Sequence, residues 1–275
     1  MPIWNIKLGR WGNKYTWYTT SPSAGCWGLP VRPGYDAAQG RVVDLSFRLI
    51  GGSISADHGY ALYSAICRIV PALHGSGEET NGGAVAPAGG SVQPLWREVG
   101  IHPVNGNIMA RRRISITPRS RLTLRLPSDR IVQVLSLAGK ELVLGADRLR
   151  VGVPRAFPLH SVARLCSRLV TIKGFLEADP FLAAVRRQLD LLGIRGESVL
   201  LRRHGDRTLE GKAAEAGRSS FLRRTLRVRD KEIVGYAVEV SGLSVEESIC
   251  LQESGLGGRR RFGCGLFVPM RDATP

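Results

Sequence analysis

Apolar and polar residues alternate over 42–50 (VVDLSFRLI), the period of a half-buried strand. The period then changes. Over 58–73 (HGYALYSAICRIVPAL) apolar residues recur at helical spacing, and Asp57 stands where an N-cap is expected. Strand patterning returns at 112–117 and 121–126, with Pro118 marking the turn between them. Residues 128–137 read as a short capped helix and 141–154 as a last strand, so the order is β-α-β-β-α-β.

The second half repeats that order. Residues 167–175 (SRLVTIKGF) read as a strand. Asp179-Pro180 supplies an N-cap and a proline at the first helical position, opening a helix to about Leu192 that Gly193 stops. Strands follow at 197–203 and within 223–241. Ser244-Val-Glu-Glu247 is a capping box for a helix to about Gln252, and 261–268 reads as the closing strand. Two successive β-α-β-β-α-β units predict an α+β chain of two tandem ferredoxin-like (RRM-like) modules. The expected division is an N-terminal extension at 1–40, a first ferredoxin-like domain at 41–155 and a second at 156–275. The extension holds Trp4, Trp11, Trp17 and Trp27 without clear periodicity. Residues 75–91 and 205–220 read as Gly-containing loops.

Composition narrows the function. Hydrophobic residues make up 43% and charged residues 23%, a globular balance. No stretch approaches the roughly 18 apolar residues that span a bilayer, and the first residues lack an apolar signal core. The five cysteines have no C-x-x-C spacing, and no metal or nucleotide motif occurs. The expectation is a cytoplasmic protein with reduced thiols, no metal, no cofactor and no membrane partner. The formal net charge is +16, and residues 101–175 carry 14 basic against 3 acidic residues. Arginine dominates there, and its planar fork suits phosphate. Such a patch is the footprint of a polyanion, although a merely soluble basic surface has the same composition.

The densest chemistry lies at Gly255-Leu-Gly-Gly-Arg-Arg-Arg-Phe-Gly-Cys-Gly265. Gly255, Gly257, Gly258, Gly263 and Gly265 bracket Arg259, Arg260 and Arg261. The glycines are expected to let backbone amides converge on an anion while the arginines pair with phosphates. This stretch fits the pattern G-Φ-G-x-x-x-x-x-G-x-G without a gap. It resembles the C-terminal loop of the CRISPR-associated endoribonucleases of the repeat-associated (RAMP) superfamily. ADHGYALYSAI at 56–66, VGIHPV at 99–104, SRLVTIKGF at 167–175 and EESICLQESGLGGRRRFGCG at 246–265 resemble the type I-MYXAN branch. The likeness runs from about Val42 to Val268.

The resemblance implies metal-independent cleavage within CRISPR repeat RNA. A ribose 2′-OH attacks the adjacent phosphate and leaves a 2′,3′-cyclic phosphate and a 5′-OH. It also implies precursor and mature CRISPR RNA as partners, with the family commonly delivering the processed guide to other subunits of an effector complex. An internal nucleophile needs alignment, proton transfer and charge stabilisation rather than a metal-activated water. An imidazole, with its ordinary pKa near ~6.5, can move that proton. In the family the catalytic histidine stands at or just before the first helix, which points to His58. Tyr60 and Tyr63 share its turn and the next, placed to donate to a phosphate oxygen, to stack on a base or to pack in the core. His102 is the rival. His74 reads as a solvated or capping residue at a helix end, and His160 and His204 are not assigned. Arg111, Arg112, Arg113, Arg119, Arg121 and Lys173 are expected to track RNA phosphates. The alternative functions are a RAMP-type subunit that binds CRISPR RNA without cutting it, and a sequence-independent DNA-binding protein.

Overall fold

The computed structural model describes residues 42–75, 93–202 and 221–270. The expected extension at 1–40, most of both Gly-containing loops and His204 lie outside the described residues. The first half begins with β1 (Val42–Gly51), β2 (Ser53–Ser55), α1 (Gly59–Ile69), α2 (Leu95–Glu98) and β3 (Gly100–Ile101). It continues with β4 (Asn107–Met109), β5 (Arg113–Ser115), β6 (Arg121–Pro127), α3 (Ile131–Val134), β7 (Glu141–Leu144) and β8 (Asp147–Pro158). The second half holds β9 (Arg164–Val170), α4 (Ala178–Leu191), β10 (Glu197–Leu200), β11 (Arg223–Val228), β12 (Lys231–Ser241), α5 (Val245–Ser254) and β13 (Val268–Pro269).

All strand pairs among the described residues are antiparallel. The first sheet runs β3-β6-β1-β8-β7, and the second runs β10-β12-β9-β13 with β11 also paired to β12. A small third sheet runs β2-β5-β4. The alternation in β1 does what its period demands: Leu45, Phe47 and Leu49 are buried on one face. There they meet Leu62 and Ile66 of α1 in one core. A second core joins Phe181 and Val185 of α4 to Val238 and Val240 of β12. The chain is thus a mixed α/β protein built on antiparallel sheets.

The structure changes several expected elements. Asp57 does not cap α1; the N-cap is His58, and Asp57 instead accepts the Arg227 N–H at 3.3 Å. The helix ends at Ile69 because Pro71 forces Val70 out of the α region (φ −122°, ψ 82°), and a single 3-10 turn follows at Pro71–Leu73. The strand expected at 112–117 is β5 of the small sheet, and β6 instead pairs with the two-residue β3. The strand expected at 141–154 is the hairpin β7–β8. The helix α4 starts two residues before Pro180, with Glu177 at the N-cap position and no side-chain cap bond. The closing strand is only Val268–Pro269, because Arg260–Phe262 form a 3-10 turn. The capping box is present as expected, with Ser244 and Glu247 satisfying each other's amides.

One charged side chain ties the halves. Arg125 on β6 is 1% exposed. Its Nε and Nη2 donate to the two carboxylate oxygens of Asp44 at 2.8 Å each. Its Nη1 donates to the carbonyls of Gln252 at 3.0 Å and Phe267 at 2.6 Å. Burial pushes the Asp44 carboxyl upward, but Arg125, bonded to both its oxygens, and His102, 3.5 Å away, outweigh burial and hold it well below the usual carboxylate range. Removing one partner strands a buried charge, at about 3–5 kcal/mol. Denaturant titration of Arg125→Met is expected to show a loss of that size. The pH dependence has a definite sign. The Asp44 contribution is full above the ordinary carboxyl value of 3.8 and fades as the pH falls below it; the Met variant should lose that acid limb.

Candidate active site

The glycine-rich loop lies on the start of α1. Gly59 permits this: a Cβ there would sit 2.7 Å from the Phe262 carbonyl oxygen. The Phe262 ring then packs edge-on against Tyr63, with centroids 5.0 Å apart, and tilted against Tyr60 at 5.9 Å. At the other end of the loop a Cβ on Gly265 (φ 66°) would fall 2.0 Å from the Leu256 carbonyl oxygen. The loop is folded tightly on itself.

Its glycine amides are already used. Gly255 donates to Leu251, Gly258 to Thr171, Gly263 to Arg260 and Gly265 to Leu169. Gly257 donates to the Gln188 side chain at 2.7 Å. The expected anion nest of glycine amides therefore does not form; the glycines provide close packing, and the cationic face belongs to side chains. Of the three arginines, Arg260 turns inward, where burial first and Arg125 second pull its pKa down to about 10. Arg261 lies within 5.2–5.4 Å of the ring centres of Trp96, Tyr63 and Phe262, an aromatic box around a guanidinium.

Arg259 and Arg261 border a cavity of about 720 Å³ whose opposite wall is α1 and the turn after it. Tyr60, His74, Arg229 and Lys231 also face this space. Tyr60 Oη accepts from Arg229 Nε at 3.2 Å. His74 is exposed and follows the 3-10 turn that Pro71 creates. Tyr63 is buried, and its hydroxyl donates to the Leu73 carbonyl at 3.1 Å and accepts from the Gly75 amide at 3.3 Å. Those two peptide groups flank His74. One tyrosine thus fixes the backbone on both sides of His74 while its ring carries Arg261.

The imidazole at position 58 is in a different state. His58 is 2% exposed. Its Nε2 accepts the Val104 N–H at 2.9 Å, so its Nδ1 carries the proton and donates to the Ser55 carbonyl at 2.9 Å. Both ring nitrogens are occupied within the protein. Burial, with repulsion from Arg168 among the smaller causes, holds its pKa below 6.5.

A family model described as "Cas6 Crispr" matches residues 43–272. A curated relative named CRISPR-associated endonuclease Cas6, from Myxococcus xanthus (strain DK1622), is 33% identical over 227 residues, covering 82% of this chain and 81% of the relative. The chain belongs to the Cas6 family. Its fold is also similar to solved structures. A "CRISPR associated protein Cas6" is 12% identical with a TM-score of 0.51, covering 84% of this chain and 100% of the other. "An RAMP protein binding different RNA substrates" is 15% identical with a TM-score of 0.50, covering 82% and 98%.

In this Cas6-family chain the expected site residues divide into groups. Tyr60, Arg259 and Arg261 come together at the cavity. Arg111 and Arg112 border a second, adjoining cavity of about 530 Å³. Arg113 is committed to Ser53 and to Asp147 at 2.6 Å, so it braces the small sheet. Arg121 folds back on the carbonyls of Pro118 and Ser120. Arg119 and Lys173 are exposed but border neither cavity. The rival His102 stands 3.5 Å from Asp44 beside the Arg125 pair and is part of that strut. Sequence reasoning did not bring to this region His74, Arg227, Arg229 and Lys231, which line the two cavities, or Trp96, which packs on Arg261. The X-Pro break at Val70-Pro71 was the available signal for His74, since it turns the chain out of the helix just before that residue.

His58→Ala leaves the Val104 amide and the Ser55 carbonyl without partners, at roughly 1–3 kcal/mol for each buried group. Thermal melts should show the loss, while RNA cleavage below the melting temperature stays within tenfold of the parent. Because the native imidazole holds its proton less tightly than the unfolded one, parental stability should fall as pH drops below about 6.5. His58→Ala should flatten that part of the profile.

Proposed function

We propose that this chain is a metal-independent endoribonuclease that cuts CRISPR repeat RNA in precursor transcripts, with His74 rather than His58 moving the proton. Family membership and the curated endonuclease relative support the activity. The observation that carries the site is the joint presence of an exposed imidazole, a tyrosine hydroxyl and the loop arginines around one cavity. The strand orders β8-β1-β6-β3 and β13-β9-β12-β10 support two ferredoxin-like modules, the first running to the end of β8 at Pro158, past the expected boundary at 155, and the second beginning with β9.

In this mechanism the ribose 2′-OH gives up its proton and attacks the phosphorus. The P–O5′ bond breaks, leaving a 2′,3′-cyclic phosphate and a 5′-OH. His74 takes the proton from the 2′-OH, and the imidazolium so formed returns it to the leaving 5′ oxygen, so the proton count closes. Arg259 and Arg261 offset the charge that grows on the phosphoryl oxygens, and Tyr60, held by Arg229, donates to one of them. Tyr63 is a positioning residue: it holds His74 and Arg261 and does not touch RNA. The processed guide stays bound or passes to partner subunits.

General acid–base groups contribute about 10²–10⁴-fold to rate. In single-turnover assays with chelator present, His74→Ala should lose cleavage by that order while RNA affinity stays within threefold. End-mapping of the parental product should find the cyclic phosphate. Tight, salt-sensitive binding of repeat RNA that stays intact with the parental protein would instead support the non-cleaving subunit. Equal affinity for duplex DNA would support the DNA-binding reading. Tyr63→Phe, which deletes both backbone bonds, should lower the saturated rate with little change in the RNA concentration giving half-maximal rate.

A further inference from the structure

Four non-glycine residues take the left-handed backbone region among those described: Arg111 (φ 57°), Arg112 (φ 54°), Arg229 (φ 53°) and Arg259 (φ 66°). Every one is an arginine. Glycine or asparagine would occupy these positions with less steric cost, and Asn-Gly is the common choice for hairpin turns that need positive φ. Arginine at all four is therefore not explained by turn stability. Their location is also shared. Arg111, Arg112 and Arg229 border the cavity of about 530 Å³, and Arg229 and Arg259 border the proposed active-site cavity. Backbone strain that collects at one place signals a function for the side chains held there.

The smaller cavity is built rather than accidental. Arg111 and Arg112 lie in the turn of the β4–β5 hairpin, and the Arg112 carbonyl accepts the Ala56 N–H at 2.8 Å, pinning the turn to the end of β2. Arg113 anchors the stem through Ser53 and Asp147. Arg227 of β11 closes the far wall, its backbone amide held by Asp57. Five arginines line the space against one carboxylate. Ile108, 90% exposed, and Met109, 50% exposed, lie on the same hairpin and offer apolar surface to a base. The two cavities share Tyr60 and Arg229, so a strand occupying both passes over that bonded pair.

We propose that this second cavity is a phosphodiester-binding site for single-stranded RNA flanking the cut bond, with Arg111 and Arg112 as positioning residues outside the chemistry. The proposal rests on the active-site reading above.

The test is Arg111→Asn combined with Arg112→Gly in the full chain. It removes both cations and also relieves the turn. Single-turnover cleavage should require about tenfold more protein for half-maximal rate, with the saturated rate within twofold. The slope of log affinity against log salt should become shallower by about 0.7 for each phosphate that the variant no longer neutralises. The melting temperature should rise, an effect that a merely structural pair of arginines would not give. Arg111→Lys with Arg112→Lys, which keeps the charges, should retain the parental salt slope. Unchanged half-maximal concentration and salt slope in the Asn/Gly variant would overturn the proposal, as would equal losses in both variants. His74→Ala separates the two readings. Full cleavage by His74→Ala would sink the active-site assignment, whereas its loss beside normal RNA binding by the Asn/Gly variant would sink only the second site.

Discussion

Arg125 belongs to a strand of the first sheet, yet its guanidinium reaches both stems of the glycine-rich loop. It binds the carbonyl of Gln252 just before the loop and that of Phe267 just after it. Asp44 neutralises the charge from the neighbouring strand β1. A buried ion pair is weak support for stability in itself, because desolvation offsets its attraction. Here it sets position. With both stems fixed to the first sheet, the loop must cross the start of α1, and Arg259 and Arg261 must face the helix that carries Tyr60 and Tyr63.

The division of labour inside the loop follows from that constraint. A chain held at both ends within hydrogen-bonding distance of β9 and of its own other arm satisfies its amides internally. Glycine is needed where carbonyls would otherwise meet a Cβ, as at Gly265. Anion attraction then falls to Arg259 and Arg261 at the cavity, the latter boxed by three aromatic rings, while Arg260 turns in beside Arg125. The helix contributes in two separate ways. Its first residue, Gly59, lets the loop approach, and its break at Pro71 turns His74 out to the cavity.

Local grammar was readable in the sequence, and tertiary assignment was not. The Ser244–Glu247 capping box and the alternation of β1 depend on neighbours within a few residues, and both took the expected form. The glycine-rich loop was expected to offer its amides to an anion, and in the structure its glycine amides bond within the protein instead. His58 stands at the start of the first helix as expected; what occupies its Nε2 is the amide of Val104, 46 residues away. Arg113 likewise reads as a third phosphate ligand until Asp147, 34 residues on, takes its guanidinium. His74 looked like an ordinary helix-end residue because nothing local shows that Tyr63 grips the peptides on both sides of it.

The most direct test of this account is a crystal structure of the full chain with its repeat RNA carrying a 2′-deoxy sugar at the cut nucleotide. The account predicts the scissile phosphate in the larger cavity, with a His74 ring nitrogen about 3 Å from an attacking or leaving oxygen and Arg259 and Arg261 on the phosphoryl oxygens. His58 should still accept from Val104. A phosphate resting on a rotated His58 or on His102, or an RNA that bypasses the glycine-rich loop, would contradict it.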